Sequence, residues 1–184
     1  MTFTALQSGL ITLHLITEDN LADVRARFSG FPDSDVMLAE IDENYRPQYD
    51  EQGRQIQYGF YALLNSELAG LSLLSVDDWN ARKGSTGADT LGHMRGRGVA
   101  PGSKPHLFHL GFELLGLNRI ETGCLVSNIS SKRSIEKTPG FQFEGVTRES
   151  GLNDRGEFED EYLYAILRRD WLRLYAKTQV SVIE

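Results

Sequence analysis

The chain has 184 residues, 40% of them hydrophobic, with one cysteine and a formal net charge of -7 at pH 7, which suits one domain with a real core. A lone cysteine excludes an internal disulfide framework and a multi-cysteine metal site, and net acidity opposes general affinity for nucleic acid, whose phosphates reward Lys and Arg. No apolar run approaches the roughly 20 residues of a membrane span and nothing at the N-terminus has the basic-then-apolar form of a signal peptide, so a cytoplasmic protein without metal is expected.

"LITLHLI" (10–16) alternates Ile11, Leu13 and Leu15, the pattern of a half-buried strand. "TEDNLADVRARF" then sets Leu21, Val24 and Phe28 at helical spacing behind Thr17, a plausible N-cap. Residues 29–55 read as loop with one short helix around "VMLAEI". Between Asp33 and Glu51 this stretch carries seven acids against one base, Arg46. It is either solvated surface or a wall that attracts a cationic substrate.

"IQYGFYALL" and "LAGLSLLSV" flank "NSE", a hairpin signal with Asn65 and Ser66 as turn residues. A polar connection (77–85) leads to a weaker strand, "TGADTL". Leu107, Leu110, Gly111, Leu114 and Leu115 mark one face of a helix with Ser103 as its cap. His106 and His109 on that helix are explained by surface polarity. "RIETGCLV" is the next strand, and Ser127 and Asn128 cap a helix reaching about Lys137. "GFQFEGV" and "EYLYAIL" are two further strands, and "RRDWLRLYAK" is a closing helix. This order builds a mixed α/β sheet with helices on its faces.

The segment "HMRGRGVAPGSKP" (93–105) is unusually bare of side chains just before a helix. A P-loop is excluded, because Gly98 and Gly102 are too close and Ser103 precedes Lys104. A dinucleotide fingerprint is opposed by topology, since only 62 residues remain after Thr122. A third pattern, [QR]-x-x-G-x-[GA], is met by Arg95, Gly98 and Ala100. Such a loop brings backbone N–H groups and a helix N-terminus to an anion. The alternative is a tight strand-to-helix turn without a ligand.

"RGRGVA", "LGLNRIETGCLVSN", "NISSKRSIEK", "GFQFEGVTRE" and "LYAILRRDW" occur in the order and spacing of one family. In these stretches the chain resembles the GNAT superfamily of acyl-CoA-dependent N-acetyltransferases, and more closely its RimJ/RimL-like branch. The resemblance implies one domain over residues 1–184, with a splayed central sheet flanked by helices. It also implies acetyl-CoA, its pyrophosphate on Arg95, Gly96, Arg97, Gly98, Val99, Ala100, Gly102 and Ser103. The pantetheine arm would lie between the splayed strands against Asn128 and Ser131; the alternative is helix capping, which Ser127, Asn128 and Ser130 could serve between them. The amine acceptor would be a protein N-terminus or, as a second reading, a small amine or polyamine. The resemblance implies a homodimer, for which "EYLYAIL" and the terminal "WLRLYA" could supply apolar surface.

Acetyl transfer to an amine needs a base, donors for an oxyanion and a hydrogen bond for the departing sulfur. Ser131 is the candidate for the last. Many relatives carry a glutamate on the strand before the glycine loop, where this chain has Ser85. Glu149 and Asp89 are the replacement candidates, Glu149 by its place near a glutamate proposed in RimL-like enzymes and Asp89 because alternation sets it on the face of Ser85. The missing glutamate equally fits a CoA-binding protein that has lost catalysis. Cys124, with no His nearby in sequence, reads as a small buried hydrophobe rather than a nucleophile.

Overall fold

The computed structural model describes residues 3–184. In chain order it contains β1 (Ala5–Ser8), β2 (Ile11–Leu15), α1 (Leu21–Phe28), α2 (Ser34–Glu40), β3 (Gln48–Tyr49), β4 (Gln55–Leu64), β5 (Glu67–Asp78) and β6 (Lys83–Thr90). Then come α3 (Val99–Phe108), β7 (Arg119–Leu125), α4 (Ile129–Glu136), β8 (Gln142–Leu152), β9 (Phe158–Leu167), α5 (Arg168–Tyr175) and β10 (Ser181–Ile183). All ten strands join one sheet in the order β10-β1-β2-β4-β5-β6-β7-β9-β8, with β3 added against β4. Among the described strands only β6 and β7 run parallel to each other. The mixed α/β architecture expected of the sequence is the one observed.

The β4–β5 hairpin turns on Asn65 and Ser66, whose φ angles of 51° and 66° are those of a two-residue turn matched to strand twist. β5 and β6 are longer than their periodicity suggests and meet across a short connection, Asp78 pairing with Lys83. β1 and β10 carry too little pattern to be read from sequence; they pair with each other at the sheet edge, Ala5 opposite Ile183.

Helix α3 lies on one face of the sheet. Leu107, Phe108, Phe60 and Leu74 are fully buried there, each side chain contributing about 1.5–3 kcal/mol. α3 starts at Val99, immediately after the glycine loop, so Ser103 is not its cap. Ser103 lies inside the helix, fully buried, and its hydroxyl donates to the Val99 carbonyl. Gly102 serves packing: a Cβ there would lie 2.5 Å from Ile11 Cδ1. His106 is not a surface residue, because the helix face it occupies is buried, and its Nε2 lies 3.1 Å from the Ile11 carbonyl oxygen.

The opposite face carries α1, α2 and the wide turn Ile41–Tyr45 that continues α2. A Cβ on Gly59 of β4 would stand 2.0 Å from the Tyr45 carbonyl oxygen, so only glycine lets this turn approach the sheet. The acidic segment is partly neutralised. Asp42 pairs with Arg25, Asp50 with Arg54, and Asp33 accepts the Gly92 N–H.

The strand "EYLYAIL" turns Tyr164, Ala165 and Ile166 inward. It therefore does not supply an exposed apolar surface. Phe143, Val146 and Leu152 on edge strand β8, with Phe158 on β9 and Leu172 and Leu174 on α5, do. Among the described residues no helix is long and apolar enough to cross a membrane.

Candidate active site

The site begins where the parallel ladder stops. β6 and β7 pair only at Lys83 with Arg119, Gly84 with Ile120 and Ser85 with Glu121. Beyond Ser85, β6 stays bonded to β5 as far as Thr90 while β7 stays bonded to β9 as far as Leu125, and the two strands part. At the apex the Thr122 hydroxyl donates to the Thr86 carbonyl at 2.9 Å. The Thr86 carbonyl thus points across the split. Because a strand residue's N–H and C=O share one edge and alternate edges with its neighbours, the Ala88 N–H also faces the gap.

Cavities open on both faces of the split. The front one, about 360 Å³, is lined by Leu73, Ser85, Glu121, Glu161 and Leu163. The rear one, about 240 Å³, is lined by Ala88, Asp89, Ala100, Lys104, Ser131, Ser134 and Ile135. Thr86, Gly87, Thr122 and Gly123 line both. The two glycines in this shared wall keep it thin.

The glycine loop forms the rim on the rear side. Gly96 and Gly98 have φ angles of 77° and 81°, and Gly98 is the N-cap residue of α3. No protein atom lies within 4 Å of a Cβ built on either, so nothing inside the fold demands open space there. Among the described residues no protein acceptor takes the N–H of Gly96, Gly98, Val99 or Ala100. The Arg97 N–H between them donates to the Met94 carbonyl, and the free N–H groups that remain, running through left-handed backbone into a helix N-terminus, are an anion cradle. Arg95 is exposed beside it, while Arg97 is drawn toward Met94 Sδ and Glu67.

Charges within the cavities differ sharply in their freedom. Glu121 is held by Lys83 at 2.9 Å and Arg119 at 2.8 Å; burial alone would raise its pKa, but those partners together lower it. Among the described residues Glu161 accepts only the Ser150 hydroxyl, at 2.8 Å on Oε2. Asp89 accepts the hydroxyl of buried Tyr45 at 2.7 Å. Lys104 is 5% exposed and donates to Thr86 Oγ1 at 3.2 Å. Burial brings its pKa down to about 7, against a smaller opposing pull from the Asp89 charge.

The chain is 32% identical over 146 residues to "Putative ribosomal N-acetyltransferase YdaF" of Bacillus subtilis (strain 168), covering 78% of this chain and 76% of that protein. The chain belongs to the GNAT superfamily of N-acetyltransferases. "Probable N-acetyltransferase YjcK" of the same organism is 26% identical over 65% of this chain and 66% of its own length. Among solved structures, a "putative acetyltransferase" from T. thermophilus superposes with a TM-score of 0.73 at 18% identity, over 96% of each chain. Spermidine/spermine N-acetyltransferase SpeG from Vibrio cholerae superposes with a TM-score of 0.65 at 18% identity, over 89% of this chain and 96% of that one. The chain matches no family model.

In this acetyltransferase the residues singled out from sequence do not all meet at one site. Gly96, Gly98, Val99, Ala100 and Arg95 make the open rim, and Ser131 and Asp89 line the rear cavity. Asn128 is an N-cap: its Oδ1 accepts the Ser131 N–H at 3.0 Å. Gly102 and Ser103 belong to the packing of α3, as described above. Glu149 lines neither cavity. It sits in a bulge of β8, exposed, with φ at 49° and its N–H on the Asp160 carboxylate. Cys124 packs with Ile135 and Tyr164, and burial pushes its thiol pKa up, which disfavours the thiolate.

Two residues escape a reading of the sequence. Glu161 has a signal that could find it, as a carboxylate in an otherwise strand-forming run, on the same face as Leu163. Lys104 carries no such signal, because a lysine in a helix ordinarily faces water and only the packing of α3 against β6 reveals that this one does not.

Proposed function

We propose that the protein transfers acetyl from acetyl-CoA directly to a primary amine, with a protein N-terminal α-amine as its first class of acceptor. The observation that carries this is the pair of cavities back to back across the β6–β7 split, with an anion cradle on the rear rim only. The uncommitted N–H groups of Gly96, Gly98, Val99 and Ala100 and the open space over Gly98 fit a pyrophosphate. The rear cavity fits an extended arm, with Ser131 positioned to donate to a sulfur. Acetyl-CoA supplies the activated acyl group.

The chain supplies the rest. The Ala88 N–H faces the split and can donate to a carbonyl oxygen that gains charge. In the front cavity Glu161 has one carboxylate oxygen uncommitted and can take the proton an ammonium acceptor must lose. Glu121 cannot serve, being held by two cations. Asp89 is committed to the Tyr45 hydroxyl.

Calorimetric titration of acetyl-CoA, repeated with Gly98→Glu, tests the cradle: micromolar binding to the native chain and none to the folded variant is expected. Intact-mass analysis of peptides with free N-termini then tests the acceptor. A polyamine acceptor is the second reading, favoured by the acid-rich segment 33–51 and by the likeness of fold to a spermidine/spermine enzyme; acetylation of spermidine in preference to every peptide would establish it. A homodimer through edge strand β8 belongs to the same proposal, supported by exposed Phe143, Val146 and Leu152, and light scattering would read it.

A further inference from the structure

Lys104 has no part in the chemistry above, and its setting is unusual. It is 5% exposed, and no carboxylate lies within ion-pair distance of Nζ among the described residues. Its hydrogen bond goes to Thr86 Oγ1. Thr86 already gives its own hydroxyl proton to the Leu73 carbonyl, at 2.7 Å. Three N–H donors on an ammonium with one acceptor between them make a costly buried cation. The group that survives such burial is the neutral amine.

Nζ also stands at a particular place. Thr86 is the first residue past the last paired rung, so the amine lies at the apex of the split, on the rear side. The cavity that would take the acyl end of a thioester therefore ends on an amine. The groups facing it are Asp89 from β6, bonded to Tyr45, together with Thr122 from β7 and the uncharged Ser131, Ser134 and Ile135 from α4.

We propose that Lys104 is a self-acylation site, taking the acyl group of a bound acyl-CoA when no acceptor amine is present. This rests on the acetyl-CoA reading of the rear cavity. Nζ attacks the thioester carbonyl carbon, the C–N bond forms as the C–S bond breaks, and the proton lost from nitrogen goes to the departing thiolate. The products are Nε-acetyl-lysine and free CoA thiol. The added acetyl group occupies the apex, so the modified chain binds acetyl-CoA more weakly.

The test incubates the whole chain with acetyl-CoA alone, follows intact mass and peptide maps, and titrates the same preparation calorimetrically. One acetyl group per chain on Lys104 is expected. Its rate should rise about tenfold between about pH 6 and pH 8 and then level, whereas free Nα-acetyl-lysine in the same tube, an ordinary lysine amine, should gain roughly a hundredfold over the same interval. Lys104→Met and Lys104→Arg, both checked for native circular dichroism, should lose this modification while the free lysine amine reacts as before. Binding of acetyl-CoA with Lys104 unmodified, or modified with the pH response of the free lysine amine, overturns the proposal and leaves the cofactor reading standing. Absence of binding overturns both.

Discussion

The Thr122 hydroxyl bonds the Thr86 carbonyl across 2.9 Å, at the first position where β6 and β7 no longer share a backbone ladder. A side chain thus closes the valence that a main-chain N–H would otherwise fill. The split is in this way a terminated ladder rather than a frayed one.

Thr122→Val keeps the shape and removes the donor. The Thr86 carbonyl is then buried without its partner, at a cost of about 1–3 kcal/mol. Urea unfolding should show that loss, accompanied by weaker acetyl-CoA binding; unchanged stability would mean that the hydroxyl does not secure the apex.

Gly59→Ala pushes a Cβ against the Tyr45 carbonyl, backbone against backbone, with no flexible side chain to yield. A cost of about 3 kcal/mol, at the upper end for overpacking, is expected. In whatever folds, the turn is displaced and Tyr45 leaves Asp89, which ultraviolet titration of the tyrosine reads directly. Burial, and after it the Asp89 charge, hold that phenol well above its ordinary pKa.

Glu161→Gln should lower kcat by about a hundredfold or more if this carboxylate takes the acceptor's proton. Glu149→Gln, in an exposed bulge that lines neither cavity, should leave it little changed. The reverse result would return the base to Glu149 and require β8 to close over the front cavity.

Lys104 also sets a pH dependence of stability. Its pKa is near 7 in the folded chain and near 10.5 unfolded. Between those values the unfolded chain binds more protons, so stability rises with pH across this window, and below it the folded chain bears the full cost of a buried ammonium. Lys104→Met removes that cost. The variant's advantage over the native chain should reach a few kcal/mol in mild acid and shrink as pH rises from about 7 to about 10. Denaturant unfolding of both proteins across that range measures the difference.

What the sequence discloses here follows from how local each signal is. Asn65 and Ser66 between two alternating runs specify a hairpin without help, and the left-handed backbone at Gly96 and Gly98 favours glycine whatever surrounds it. The pairing of β1 with β10 joins residues at opposite ends of the chain, and neither strand has a period long enough to announce itself. Ser103 reads as a cap because a serine looks the same in sequence at the end of a helix and in the middle of a buried one. Gly102 reads as part of the cradle for the same reason that makes Gly98 conspicuous, yet it is held by Ile11. Lys104 and Glu161 acquire meaning only when α3 and β9 converge on the split, which no spacing along the chain encodes.

Because the front and rear cavities meet only through Thr86, Gly87, Thr122 and Gly123, two molecules can enter from opposite sides without crossing paths. Neither has to leave before the other arrives. Such an arrangement imposes no order of addition, so initial-rate lines should intersect rather than run parallel, and an analogue lodged at the front should spare the apparent affinity for the molecule at the rear.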